Sequence, residues 1–220
     1  MNDTRRWVFF DLDGTLADSL PGMYRAYENF LGGYERQGTR DEFEELNGPS
    51  LPEIVAILKT RYGLTDGEDA LMAAYKKHIL DVYRHIVKPM RDAAEVLRSL
   101  TNRGYRLLLV TSADRDVATE FIRSQDWTQY FTNFLFGDDT FEAKPSSEIY
   151  NLAVKKAAAQ PDAVVVVEDS CNGVISAKGA GPYVIGLEGN QTKESLLQAG
   201  ADITISRLGE LLLLLKPLHE

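Results

Sequence analysis

The sequence has little cysteine, no long apolar run and a deficit of positive charge, and each shortage excludes a class of protein. A single cysteine, Cys171, cannot form an internal disulfide, so we expect a reducing compartment. The longest apolar run, residues 211–215, is far shorter than the roughly 20 residues of a membrane span. The 24 Lys and Arg against 33 Asp and Glu give a net charge of −9. That charge argues against nucleic acid or an anionic membrane surface as the main partner.

The remaining composition is that of an ordinary folded protein. Hydrophobic residues make up 44% of the chain and charged residues 26%, which excludes a largely disordered chain. A length of 220 residues allows one large domain or two smaller ones. With this net charge, an anionic substrate would need a metal ion or local basic residues to bind.

The segment with the clearest chemical content is WVFFDLDGTLADS, residues 7–19. Its apolar start has the length and the aromatic and β-branched content of a buried strand. Asp11 and Asp13 follow at once, with Gly14 completing a turn. Open α/β sheets bind ligands at the carboxyl ends of their strands. Carboxylates at that place can hold a hard cation, and one of them can attack an electrophile.

Other interpretations of this segment are that Asp11 and Asp13 cap a helix or a turn, or that they begin a calcium loop. A calcium loop of the helix–loop–helix type requires a third Asp or Asn where Thr15 stands, Gly at Leu16 and Glu at Gly22, so that interpretation fails. The candidate site begins at position 11, which leaves no room for a cleavable signal peptide before it. We therefore expect a cytoplasmic protein.

The order of predicted elements separates a helical segment from an alternating one. Residues from Ser19 to about Val87 show helical periodicity only, with capping-box patterns at Ser50–Glu53 and Thr65–Glu68. After Pro89, helices alternate with buried-type strands, among them residues 134–136, 183–187 and 203–205. This alternation predicts a parallel sheet with right-handed crossovers. We predict a doubly wound, Rossmann-like α/β core, residues 1–16 and 89–220, interrupted by an all-helical cap, residues 17–88.

Polar residues recur where the predicted strands end. Thr111 and Ser112 follow one strand, Lys144 lies in the loop after the next, and Glu168 and Asp169 end a third. Taken singly, each is more often a helix cap or a solvated charge. Because a parallel sheet brings these ends to one edge, together they predict a site that combines a hydroxyl, an ammonium and several carboxylates.

The string FDLDGTLADS also resembles the first motif of the haloacid-dehalogenase-like hydrolases, most of which are magnesium-dependent phosphatases. In that family the first Asp is the nucleophile and the second is the general acid/base, and Asp11 and Asp13 match these positions. Thr111 matches the second motif, Lys144 the third, and Glu168 with Asp169 the fourth. The resemblance covers nearly the whole chain and implies hydrolysis of a small phosphorylated metabolite.

The resemblance also implies roles for these residues. Mg²⁺ would be held by Asp11, Asp169 and the Asp13 backbone carbonyl, with Glu168 acting through water. The phosphate would be bound by Thr111, Ser112 and Lys144, and two of these, Thr111 and Lys144, would also stabilise the transition state. Asp11 would form an aspartyl phosphate while Asp13 protonates the leaving group.

Two subgroups of the family compete. EDSCNGVISAKGAG resembles sugar-phosphate phosphatases and β-phosphoglucomutase, whereas DLDGTLADSLPGM and GPSLPEI resemble phosphoglycolate phosphatases, which commonly carry Gly-Asp instead of Glu168-Asp169. In β-phosphoglucomutases an Arg follows a Gly-x-Ser string, but Leu51 follows Gly48-Pro49-Ser50 here. We therefore expect hydrolysis, with phosphoglycolate as the first substrate to test and a sugar-phosphate phosphatase or β-phosphoglucomutase-like phosphotransferase as the alternative.

Two further alternatives come from other classes of protein. A receiver-type signalling domain also combines acidic residues, a hydroxyl and a Lys, but its phosphoacceptor follows the middle strand of a chain about half this length. A thiol nucleophile at Cys171 would require a suitably spaced His and an oxyanion motif, and the sequence has neither. We expect a monomer or a homodimer.

Overall fold

The main sheet of the computed structural model, which describes residues 5–46 and 50–218, is parallel. The strands in chain order are β1 (Trp7–Phe10), β2 (Ala17–Asp18), β3 (Lys88–Pro89), β4 (Arg106–Val110), β5 (Phe131–Leu135), β6 (Val164–Glu168), β7 (Tyr183–Leu187) and β8 (Ile203–Ile205). Six of them pair in the order β5-β4-β1-β6-β7-β8, and β2 pairs with β3 in a separate two-stranded ribbon. All neighbours within the six-stranded sheet run parallel.

The helices alternate with the strands of the sheet in the second part of the chain. In chain order they are α1 (Leu20–Gly32), α2 (Arg40–Glu45), α3 (Leu51–Tyr62), α4 (Glu68–His85), α5 (Ala93–Asn102), α6 (Arg115–Ser124), α7 (Glu148–Ala157), α8 (Cys171–Gly179), α9 (Lys193–Gln198) and α10 (Leu211–Leu214). None of the helices within the described ranges is both long enough and apolar enough to span a bilayer.

The chain divides into two compact units. One comprises the described residues up to Asp18 together with those from Pro89 onward, and the other is Ser19–Lys88. The first is a Rossmann-like α/β unit. The described residues of the second form helices and their connections, apart from Lys88 of β3, so the predicted fold class is confirmed. Gly48 and Pro49, which belong to the string before Leu51, lie outside the described residues.

The strand order determines where the α/β unit can bind a ligand. From β1 the chain adds β4 and then β5 on one side, and it then crosses to add β6, β7 and β8 on the other. The order in which strands are added therefore reverses at β1. Phe9 pairs with Leu108 of β4 on one side and with Val166 of β6 on the other. Such a switch point opens a crevice at the carboxyl ends of the strands.

Alternation along the strands supplies apolar side chains to both faces of the sheet. Phe9, Leu108 and Val166 form a buried cluster with Tyr150 of α7 and Val174 of α8. The next residues along the same strands, Phe10, Leu109 and Val167, are equally buried and point to the opposite face. Sheets covered on both faces show continuous apolar strands, which explains the runs VFF, LLLV and VVVV.

Aromatic packing and side-chain hydrogen bonds stabilise the helical unit. Phe30 of α1 stacks on Tyr75 of α4, with ring centroids 4.7 Å apart. The Ser50–Glu53 capping box is formed, since the Ser50 N–H donates to Glu53 Oε2 at 2.7 Å. The Thr65–Glu68 pattern is not used. Gly67 precedes α4 instead, in an extended conformation, and Asp66 accepts a hydrogen bond from Tyr34.

Candidate active site

The ends of β1, β4 and β6 bring four predicted residues to one edge of the sheet. Asp11 directly follows β1, and its N–H donates to Val167 O at 3.1 Å. Thr111 directly follows β4, Glu168 is the last residue of β6, and Asp169 comes next. All four side chains are buried. The site therefore lies at the switch point of the sheet.

Lys144 joins these residues from the loop between β5 and α7. Its ammonium lies 2.7 Å from Asp11 Oδ1 and 2.6 Å from Glu168 Oε1, and it donates to the Val110 carbonyl oxygen at 3.3 Å. The lysine and both carboxylates are almost fully excluded from solvent. Buried charges need such pairing, because an unpaired one carries a large desolvation cost.

Glu168 is fixed by three donors. One oxygen, Oε1, accepts hydrogen bonds from Lys144 and from the Tyr150 hydroxyl at 2.8 Å. The other, Oε2, accepts one from Ser170 Oγ at 3.2 Å. Gly173 packs so close that a β-carbon there would overlap the Glu168 carboxylate. The carboxylate therefore has one permitted position.

Asp169 has its own set of donors. Thr15 Oγ1 donates to Oδ1 at 3.3 Å, and Asn190 Nδ2 donates to Oδ2 at 2.6 Å. Gly14 lies against Asp169 and Asn190, and its φ is +76°. A β-carbon at this position would overlap both side chains. The turn after β1 thus requires glycine for two reasons, the backbone conformation and the close approach of a carboxylate.

The remaining predicted residues lie at the border of this buried group. Asp13 is half-buried, and its negative charge contributes to raising the pKa of Asp11. The Thr111 hydroxyl oxygen accepts a hydrogen bond from the Ala113 N–H at 3.0 Å, so its proton is directed elsewhere. Ser112 is exposed one residue further along the loop.

Burial dominates the electrostatics of the site. It raises the pKa of Asp11 well above its usual range; Lys144 opposes this effect, whereas Glu168 and Asp169 add to it. Burial and the charge of Glu168 raise the pKa of Asp169 to about 7. For Lys144, burial alone would lower the pKa, but Asp11 and Glu168 outweigh it and hold the pKa well above the usual value. The ammonium therefore stays charged.

The acidic residues form a set that suits a divalent cation. Asp11, Glu168 and Asp169 each offer an oxygen, and these atoms all lie within 4.8 Å of one another. Only Lys144 forms an ion pair with this set within the described ranges, so the fully ionised set would carry more negative than positive charge. Oxygen-only ligands and that excess fit a hard cation such as Mg²⁺, Ca²⁺ or Mn²⁺.

Cys171 lies outside this acidic set. Its thiol is half-buried and lies 3.7 Å from Gln191 Oε1 and from the Ser195 carbonyl oxygen. The two histidines among the described residues, His78 and His85, both belong to α4 of the helical unit. No imidazole is therefore supplied to Cys171 by the described part of the α/β unit.

Four residues that hold the acidic set had not been predicted: Thr15, Tyr150, Ser170 and Asn190. Asn190 was accessible to the same reasoning as the others, because it follows β7 at the same sheet edge. Tyr150 could not be predicted in this way. It lies on the buried face of α7, where an aromatic residue indicates core packing.

Comparisons with known proteins identify the family of the chain. The sequence model of the haloacid dehalogenase-like hydrolase family matches residues 8–187. A protein of Thermotoga maritima named phosphorylated carbohydrates phosphatase is 31% identical over 212 residues, covering 95% of this chain and 97% of the relative. A phosphoglycolate phosphatase of Aliivibrio fischeri is 28% identical over 188 residues, covering 82% of each chain.

A solved structure has the same architecture. The crystal structure of a proposed β-phosphoglucomutase from Thermotoga maritima superimposes with a TM-score of 0.79 at 29% identity. The match covers 95% of this chain and 97% of that one. The similarity therefore extends over both units of the chain.

Proposed function

The chain belongs to the haloacid dehalogenase-like hydrolases, as its motifs predicted, and from that premise we propose that it is a magnesium-dependent phosphatase of small phosphorylated metabolites. One observation carries the proposal. The Asp11 carboxylate and the Lys144 ammonium meet at 2.7 Å in a buried site that holds two further carboxylates. This arrangement supplies a nucleophile, a cation for phosphate oxygens and a cation-binding set at one sheet edge.

In the proposed reaction, Asp11 attacks phosphorus. A new bond forms between a carboxylate oxygen and phosphorus while the bond to the leaving alkoxide breaks, which gives an aspartyl phosphate. Asp13 donates a proton to the leaving oxygen and then takes one from the water that hydrolyses the intermediate. Inorganic phosphate leaves, and Asp11 is regenerated.

Lys144 and Thr111 would act on the phosphoryl oxygens. All three ammonium protons of Lys144 are directed to oxygen atoms in this structure, so one of these bonds is exchanged when phosphate binds. Thr111 would donate its hydroxyl proton, with Ser112 at the entrance of the same loop. Donors aimed at the place where charge develops are worth about 10²–10³-fold each in rate.

Asp11, Asp169 and Glu168 would hold the magnesium ion, with the Asp13 backbone carbonyl as a further ligand. Magnesium bound there supplies positive charge that lets an anionic nucleophile approach an anionic phosphate. Thr15 and Asn190 would orient Asp169 for this purpose, because groups that hydrogen bond to a metal ligand commonly fix its position.

Phosphoglycolate is the first substrate to test. The relative from A. fischeri bears that activity in its name, and phosphorylated carbohydrates follow because the relative from T. maritima is named for them. We place the enzyme in the cytoplasm, where a lone Cys171 stays reduced.

The test is a screen of phosphorylated metabolites with magnesium, comparing wild type, Asp11→Asn and Asp162→Asn. Asp162 is exposed before β6, at the opposite edge of the sheet, and is the matched control. We expect turnover from the wild type and the control and none from Asp11→Asn, with all three folded. Hydrolysis by Asp11→Asn near the wild-type rate would refute the mechanism.

A mutase is the second candidate, because a similar solved structure is described as a β-phosphoglucomutase. A mutase must grip the second phosphate of its intermediate, ideally with the bidentate fork of an Arg. Leu51, the first residue of α3, is apolar at the position where those enzymes have Arg. We therefore propose hydrolysis. Product analysis with β-glucose 1-phosphate and a bisphosphate primer tests it, and glucose 6-phosphate forming faster than free phosphate would overturn it.

A further inference from the structure

Lys144 is held between two carboxylates that compete for it. Asp11 Oδ1 lies 2.7 Å and Glu168 Oε1 2.6 Å from the same ammonium nitrogen. A stronger pull from Glu168 would draw the ammonium away from the nucleophile, and from a phosphate bound beside it. The position of Lys144 thus depends on how much of the Glu168 charge is used by other donors.

Tyr150 is the other donor to this oxygen of Glu168. Its hydroxyl donates to Glu168 Oε1, the oxygen that also accepts from Lys144, at 2.8 Å. A carboxylate oxygen that accepts a second hydrogen bond attracts the first donor less. Ser170 donates to the other oxygen, Oε2, so both oxygens of Glu168 accept hydrogen bonds.

The Tyr150 ring has a separate role. The Lys144 ammonium lies 5.1 Å from the ring centroid, within the range of a cation–π contact. The whole side chain is buried on α7, in the apolar cluster under the sheet. Replacing Tyr150 with Phe keeps the ring and its packing and removes only the hydroxyl that contacts Glu168.

We propose that Tyr150 is a positioning residue that keeps Lys144 directed at the phosphoryl site by hydrogen bonding to Glu168. The inference rests on the proposed phosphatase activity and adds a residue of α7 to the groups that determine its rate. Tyr150 touches neither the nucleophile nor the leaving group in this scheme. It acts through Glu168 on Lys144.

The experiment compares Tyr150→Phe with Tyr105→Phe. Tyr105 is a matched control in the same unit: it is buried, and its hydroxyl donates to the Lys216 carbonyl oxygen at 2.9 Å, outside the acidic set. We expect Tyr150→Phe to lower kcat by about 10-fold with KM within twofold, since the lost interaction acts on the transition state. Tyr105→Phe should leave both constants within twofold.

A double-mutant cycle separates positioning from a structural effect. If Tyr150 acts through Lys144, Tyr150→Phe should change kcat by less than twofold in a Lys144→Ala background, because coupled residues are not additive. Glu168→Gln is the second background, with the same expectation, in case Lys144→Ala does not fold. An equal loss in wild-type and variant backgrounds would overturn the proposal.

The outcomes distinguish this inference from the proposed function. A wild type that turns over phosphomonoesters, together with an unimpaired Tyr150→Phe variant, would refute the role of Tyr150 alone. A wild type without turnover on any phosphorylated metabolite would refute both.

Discussion

Asn190 shows how a neutral side chain controls a buried carboxylate. Its amide donates to Asp169 Oδ2 at 2.6 Å, while Thr15 donates to the other oxygen at the longer distance of 3.3 Å. The hydrogen bond from the Asn190 amide is the shorter of the two. It also opposes the rise in the pKa of Asp169 that burial causes. Asn190 therefore favours the charged form of Asp169 that a cation requires.

From this we predict that Asn190→Ala weakens magnesium binding. Loss of a group that hydrogen bonds to a metal ligand typically costs about 10–100-fold in metal affinity. Isothermal titration of the metal-free protein with Mg²⁺ measures the dissociation constant directly. Asn151→Ala is the control, because the Asn151 amide donates to Ser147 Oγ on the exposed side of α7. Equal affinities for the two variants would show that Asn190 does not support the metal ligands.

Gly173 gives a second prediction at the scale of single residues. A methyl group there would overlap a Glu168 carboxylate that Lys144, Tyr150 and Ser170 hold in place. Gly173→Ala should therefore lower the free energy of unfolding by about 1–3 kcal/mol, the usual cost of overpacking, and reduce turnover. Gly32→Ala at the end of α1, where nothing lies within 4 Å, should be neutral or stabilising by up to about 1 kcal/mol. Urea denaturation of both variants measures the difference.

Some residues of the site can be predicted because their chemical type stands out from the sequence around them. Asp11, Glu168 and Asp169 are charged residues at the ends of apolar runs, so the sequence marks them directly. Tyr150 is amphipathic, and its hydroxyl serves the site while its ring serves the core. Sequence periodicity registers only the ring, which explains why its contact with Glu168 emerged only from the folded chain.

At the scale of elements, the Glu42 carboxylate of the short helix α2 contacts two other helices of the helical unit. Glu42 accepts hydrogen bonds from Tyr27 and from Tyr62, the latter at 2.9 Å, and lies 3.0 Å from Arg61. Burial alone would raise the pKa of Glu42, but these three partners outweigh it and lower the pKa. Residues from α1 and α3 thus converge on a single side chain of α2.

A pKa that is lower in the folded state than in the unfolded chain makes stability depend on pH. The contribution of Glu42 is present above the unfolded Glu pKa of about 4.3 and is lost as the pH falls through the lowered folded value. We predict that Glu42→Gln destabilises the protein by about 1–2 kcal/mol at pH 7, a cost that shrinks towards zero in acid.

The matched control is Glu44→Gln on the same helix. Glu44 is largely exposed and pairs with Arg40 at 3.5 Å, so its loss should cost little at any pH. Thermal denaturation between pH 3 and pH 7 follows both variants. An acid dependence of Glu42→Gln identical to that of the wild type would contradict the role of this cluster.

The predicted elements were most accurate where periodicity was strong. β7 and β8 were expected at residues 183–187 and 203–205, and both occur there. β5 was expected at residues 134–136 but begins at Phe131. β5 is an edge strand and carries Thr132 and Asn133, polar residues that break the apolar pattern. The register shifts at Thr132, but Phe131 and Asn133 both pair with β4.

At the scale of the whole molecule, cation binding should be coupled to folding. The acidic set draws on residues 11, 168 and 169, which meet only when β1 and β6 pair, so a cation bound there stabilises the folded chain. Magnesium at about 100 times its dissociation constant adds roughly 2.7 kcal/mol, or about 5–10 °C in Tm.

Differential scanning calorimetry of the full chain with magnesium and with EDTA tests this prediction. Asp169→Asn should lose most of the shift, whereas Asp162→Asn should keep it. A Tm that does not respond to saturating magnesium in the wild type would argue against a cation site in the acidic set.

The central place of β1 in the sheet has a consequence for the synthesis of the protein. Both neighbours of β1 come later in the chain, and β6 begins only at Val164. At translation rates of about 5–20 residues per second, β6 follows β1 by on the order of 10–30 s. During that interval the ribosome releases the whole helical segment from Ser19 to Lys88, while the apolar strand Trp7–Phe10 still has no complete sheet to join. The nascent chain is therefore most exposed to aggregation before β6 has emerged.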